Sequence, residues 1–111
     1  MSEFTYLFRG RKTSGSADEM QQHLQKWVDW FKDLGEKGVI KDPGNPLDRS
    51  GKVVRGHGKD VHDGPYAEAK DLINGYVLIE TATIDQAVEL SKGCPIFEDG
   101  GSVEVRPIMK F

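Results

Sequence analysis

A single cysteine, Cys94, leaves this 111-residue chain nothing to pair it with, which excludes an internal disulfide framework and a Cys-rich zinc site. Basic residues are in slight deficit, 15 against 18 acidic, for a net charge of −3. Nucleic-acid binding wants a basic excess, so no nucleic-acid partner is expected. Long apolar runs are missing too, and a bilayer span needs roughly 20 such residues. No charged, apolar, small-residue leader opens the chain, because Met1-Ser2-Glu3 runs straight into a strand-like segment. A cytoplasmic protein without a membrane partner is the expectation. The glycines at 10–15 and in Gly56-His57-Gly58-Lys59 match neither a phosphate loop nor a dinucleotide fingerprint, so no cofactor is implied. Repeats, low-complexity tracts and linkers are absent. What remains is one domain, 1–111, long enough to bury about two-thirds of its unfolded surface unaided.

Hydrophobic patterning supplies the elements. Phe4, Tyr6 and Phe8 alternate with Thr5, Leu7 and Arg9, the period of a strand. Ser16-Ala17-Asp18-Glu19 reads as a capping box opening a helix. Met20, Leu24, Trp27, Val28, Phe31 and Leu34 then form its apolar stripe, and Gly35 or Gly38 stops it. Val39-Ile40 can begin a strand, but Asp42-Pro43-Gly44-Asn45-Pro46 reads as a turn or loop. Lys52–Arg55 and Lys59–His62 flank Gly56-His57-Gly58 as a hairpin. Gly75–Thr81 is nearly continuous in apolar residues, the pattern of a central strand buried on both faces. A second capping box, Thr83–Gln86, opens a short helix that ends by Gly93 and Pro95. Val103 and Val105 alternate with Glu104 and Arg106 in a last strand that Pro107 places at an edge.

Strand, helix, hairpin strands, strand, helix, strand is the split βαβ order of a ferredoxin-like α+β domain, βαββαβ in type. Two helices would cover one face of its antiparallel sheet. The other face keeps apolar residues, and a second copy of the chain is the simplest cover, so a homodimer is expected.

Asp63-Gly64-Pro65-Tyr66-Ala67-Glu68-Ala69-Lys70 carries a family signature, continued at Gly75-Tyr76, Cys94-Pro95 and 101–107. Together these blocks resemble the YCII-related superfamily, and within it the DGPF branch, over nearly the whole chain. Tyr66 stands where that branch usually has Phe, which keeps the ring. The resemblance implies a ferredoxin-like fold assembled as a dimeric α+β barrel and leaves activity mostly unassigned. Some members of the superfamily are described with a His–Asp pair at the active site, the histidine lying on the first helix. His23 matches that histidine by position.

Taken by itself, His23 sits at the flank of the helical stripe. Histidine changes charge near neutral pH, which suits general acid–base work. Its acidic partner is open. Asp33, ten residues on, lies about 15 Å away along the helix. Glu19 is already used by the cap. Asp63 is left, provided the fold brings the Asp-Gly-Pro turn under the helix; a plain turn is the competing account. Ligand-binding candidates are Trp27, at the stripe's centre and expected in the core; Trp30, near its edge; Tyr66; and Arg106, beside Glu104 on the last strand, for which a cross-strand ion pair is the simpler account. His57, Asp60, His62 and Asp63 lie on or beside one hairpin, but Asp63 points opposite to Asp60 and His62, so no metal is expected. Cys94 follows a helix C-terminus, whose negative end disfavours a thiolate.

Two functions are compatible with these residues. One is a cofactor-free enzyme with isomerase- or lyase-like acid–base chemistry on a small molecule, using His23 with Asp63. The other is a non-catalytic dimer that binds a ligand or protein for regulation or transport. A pocket holding both His23 and Asp63 within hydrogen-bond reach favours the first, and a shallow, apolar or absent pocket favours the second.

Overall fold

The computed structural model describes residues 1–10, 16–65 and 71–111. Its elements are β1 (Ser2–Arg9), α1 (Ala17–Glu36), β2 (Ile40–Pro46), β3 (Gly51–Arg55), β4 (Asp60–Gly64), β5 (Ile73–Thr81), α2 (Ile84–Ser91), a short 3₁₀ helix (Pro95–Asp99) and β6 (Ser102–Pro107). The main sheet runs β2-β5-β1-β6, and every neighbouring pair in it is antiparallel. With the β3–β4 hairpin set aside as an insertion, this is the ferredoxin-like order, α+β in class.

Alternation in β1 divides the sheet's faces. Phe4, Tyr6 and Phe8 are buried under the helices, and by register they lie beside Ile79, Val77 and Gly75 of β5. Thr5, Leu7 and Arg9 are half-exposed on the opposite face, beside Leu78, Tyr76 and Ile73. β5 is therefore not buried on both sides as its apolar run suggests. Val77 and Ile79 are covered while Tyr76 and Leu78 stay half-exposed, because no described helix of this chain lies over their face.

Ser16 caps α1 as the capping box predicts, its Oγ accepting the Glu19 backbone N–H at 3.1 Å. The stripe along that helix divides. Trp30 and Leu34 are buried and Trp27 and Phe31 half-buried, whereas Met20, Leu24 and Val28 remain exposed. The two tryptophans thus exchange their expected places. Trp30 enters the core and donates Nε1–H to the Leu90 carbonyl at 3.2 Å. Thr83 caps α2, accepting from Gln86 N at 3.2 Å, and the Gln86 side chain returns to accept from Ala82 N at 2.9 Å. Tyr6 ties the sheet to α2 by donating its hydroxyl to the Ala87 carbonyl.

Two readings of the middle of the chain change. Residues Asp42–Pro46 belong to β2 rather than to a loop. As an edge strand, β2 tolerates Pro43 and Pro46, and it pairs with β5 through two register shifts. The expected hairpin forms, with Lys59 in its turn rather than its second strand, and among the described residues β3 and β4 pair with each other and not with the main sheet.

Candidate active site

The first half of α1 stands off the sheet and leaves a cleft of about 820 Å³ between that helix, the start of β5 and the 3₁₀ helix. Phe8, Trp27 and Phe31 form its apolar wall, with Trp27 edge-on to Phe8 at 5.1 Å between ring centroids. Met20 and Leu24 line it as well, which gives these two exposed residues of the stripe a place. His23, Asp99 and Asn74 are polar members of the lining.

His23 Nε2 lies 2.8 Å from Asp99 Oδ2 and 3.1 Å from the indole Nε1 of Trp27, which donates to it. His23 reaches this position because it lies one helical turn before Trp27, on the same face. Asp99 arrives from the other end of the chain, as the last residue of the 3₁₀ helix. Gly100 follows in the left-handed region at φ 74°, turning the backbone into β6. The Asp99 side chain is only 11% exposed, whereas His23 is 29% exposed and reachable from the cleft. Glu98 is more distant, at 3.9 Å from Nδ1, and is held by Lys26 Nζ at 3.0 Å.

The chemistry of Nε2 follows from its two neighbours. An indole N–H can only donate and an ionised carboxylate can only accept. Trp27 therefore suits Nε2 as a bare lone pair, and Asp99 suits it as an N–H. Each protonation state of Nε2 thus satisfies one neighbour and opposes the other, so neither locks the proton in place. Asp99 Oδ2 is shielded from water and has no hydrogen-bond partner among the described residues, and its ion-pair contact is with His23 Nε2 at 2.8 Å.

The other expected residues fall elsewhere. Asp63 lies in β4 opposite Lys52, pairs with its Nζ, and is 90% exposed, so it contributes nothing to the cleft wall. The reason is topological: the hairpin is a separate sheet and does not carry the Asp-Gly-Pro turn beneath α1. Trp27 lines the cleft, but Trp30 is core. Arg106 is 66% exposed on the sheet's other face and lies 3.8 Å from Glu104, which also pairs with Arg9. Tyr66 lies outside the described residues. Cys94 is buried, and no group of three or more His, Cys, Asp or Glu side chains among the described residues is placed to hold a metal ion. No helix among them is long and apolar enough to cross a membrane.

Sequence reasoning missed Asp99 and Asn74. Asp99 precedes Gly100-Gly101, a turn that sets a carboxylate at the mouth of a strand, and Asn74 breaks the alternation at the start of β5.

Similarity to known proteins agrees with this architecture. The chain is 39% identical over 49 residues to an uncharacterized protein of Rhizobium meliloti (strain 1021). That alignment takes 43% of this chain and 40% of that protein, so it spans less than half of the relative. The fold is similar to that of 5-chloro-2-hydroxyhydroquinone dehydrochlorinase from Burkholderia phenoliruptrix AC1100, solved in complex with 2,5-dihydroxybenzoquinone. The TM-score is 0.54 at 16% identity, covering 100% of this chain and 96% of that one. The sequence profile of the YCII-related domain matches residues 4–111, nearly end to end, and the chain belongs to the YCII-related family.

Proposed function

We propose that the protein is a cofactor-free enzyme of isomerase or lyase type that moves a proton on a small oxygenated ring. The observation that carries this reading is the 2.8 Å approach of His23 Nε2 to a water-shielded Asp99 at the wall of an aromatic cleft. At about 820 Å³ the cleft is within the usual size for small-molecule sites. The structural relative acts, by its name, on a chlorinated hydroxyhydroquinone, which is a ring of this class.

Nε2 of neutral His23 takes a proton from a ring hydroxyl, and the oxygen's electron pair moves into the ring as a carbonyl forms. Asp99 stabilises the resulting imidazolium. When that proton returns at a ring carbon, the product is a tautomer. When it returns to a halide-bearing ring carbon, that carbon becomes sp3. A second ring hydroxyl then gives its proton to Nε2 as a second carbonyl and a new C=C form, and the halide leaves the sp3 carbon. The overall change is loss of HX, with no redox partner required. Asp99, rather than Asp63, orients the imidazole. The working unit is a homodimer closed over the open sheet face.

Incubation with 5-chloro-2-hydroxyhydroquinone under nitrogen, followed by chloride release, tests the reading. His23→Gln and Asp99→Asn should each lower kcat by about 100-fold or more, and Asp63→Asn should leave it unchanged. Ring binding by the wild type with no turnover of any hydroxylated ring would instead favour the non-catalytic ligand-binding dimer.

A further inference from the structure

Asn74 stands out in the cleft. The ladder between β1 and β5 pairs Phe8 with Gly75 and Arg9 with Ile73, so Asn74 is an extra residue with no partner opposite. This is a β-bulge, a device that re-aims a side chain. Counted back from Val77 by strict alternation, Asn74 would face the open side of the sheet. The bulge turns it inward, so that Asn74 and Gly75 are buried consecutively. Its backbone is held in place, the carbonyl accepting from Leu47 N at 2.8 Å.

The side chain has no such support. Asn74 is 5% exposed, yet neither Nδ2 nor Oδ1 has a hydrogen-bond partner among the described residues. Burying a carboxamide with both ends unpaired is destabilising, and folded proteins seldom do it without a functional reason. Asn74 lines the same cleft as His23 and Asp99.

We propose that Asn74 is a substrate-reading residue that recognises two neighbouring oxygens on a ring. Nδ2–H donates to one oxygen while Oδ1 accepts from the hydroxyl beside it. A carboxamide presents donor and acceptor side by side, and a vicinal diol is its complement. This selects rings with adjacent hydroxyls over rings with one. The assignment rests on the proposed enzyme reading and narrows its substrate class.

Calorimetric titration with catechol and with phenol tests it. The wild type should prefer catechol by about tenfold or more, since a site built to pair with a hydroxyl penalises its absence. Asn74→Leu, close in volume and free of polar atoms, should reduce that preference to about twofold or less and raise the melting temperature of the free protein. In the wild type, the Asn74 side-chain amide signals in ¹⁵N NMR should shift on adding catechol and not phenol. A preference that survives Asn74→Leu, equal binding of the two probes by the wild type, or a Leu variant that is destabilised each overturns the assignment while leaving the acid–base reading intact. A wild type that binds neither probe overturns both.

Discussion

At Cys94, burial rather than the helix dipole decides the chemistry. The residue is 4% exposed. Burial pushes its thiol from 9.0 up to about 12, with the Asp99 carboxylate adding to the shift and the Ile96 backbone N–H opposing it. Iodoacetamide at pH 8 should leave the native protein unlabelled and modify Cys94 once the chain is unfolded. The sign of the linkage is fixed as well. The folded state holds the thiol proton more tightly than the unfolded state, so this stabilisation is present below pH 9.0 and is lost as pH rises towards about 12. Tyr6 is buried in the same core and its hydroxyl is raised in the same direction, so it steepens the same fall. Urea midpoints measured from pH 8 upward should decline, and Cys94→Ala should make the decline shallower.

At the scale of the elements, two small features set where the site's walls stand. Ser16 fixes the start of α1, the half that carries His23, and Ser16→Ala should cost about 1 kcal/mol in chemical denaturation. Gly44 fixes β2 against β5. Its φ is +65°, and a Cβ there would sit 1.8 Å from the Tyr76 carbonyl oxygen, which cannot move without breaking the sheet. Gly44→Ala should destabilise by at least about 1–3 kcal/mol from backbone strain alone. Faster hydrogen exchange confined to β2 and the facing amides of β5 would identify the peeled strand. Exchange unchanged in β2 would show that the edge strand accommodates the methyl.

At the scale of the whole molecule, one face of the main sheet is covered among the described residues and the other is bare. Leu7, Tyr76 and Leu78 lie half-exposed on the bare face among Thr5, Glu104 and Arg106. An apolar patch rimmed by charges is the surface a self-complementary partner would cover. Sedimentation at micromolar concentration should return about twice the 12.4 kDa chain mass, and Leu78→Lys should return the single-chain value. A wild type that sediments as one chain would remove the dimer from the proposed function and leave the cleft chemistry standing, because every cleft residue named here comes from one chain.

Local signals were legible wherever the physics is local. The alternation of Phe4, Tyr6 and Phe8, the caps at Ser16 and Thr83, and the turn at 56–59 depend on neighbours within four residues, and the elements follow them. The element order, together with the family signature, then determined the ferredoxin-like sheet. Three things awaited the tertiary structure. Which stripe residues are core depended on how far α1 stands off the sheet, and that exchanged Trp27 with Trp30. Which acid meets His23 depended on contact between chain segments far apart in sequence, and the 3₁₀ helix delivered Asp99 while the detached hairpin carried Asp63 away. The direction of Asn74 depended on a one-residue mismatch between two strands, and a strand's own sequence carries no record of its partner's register.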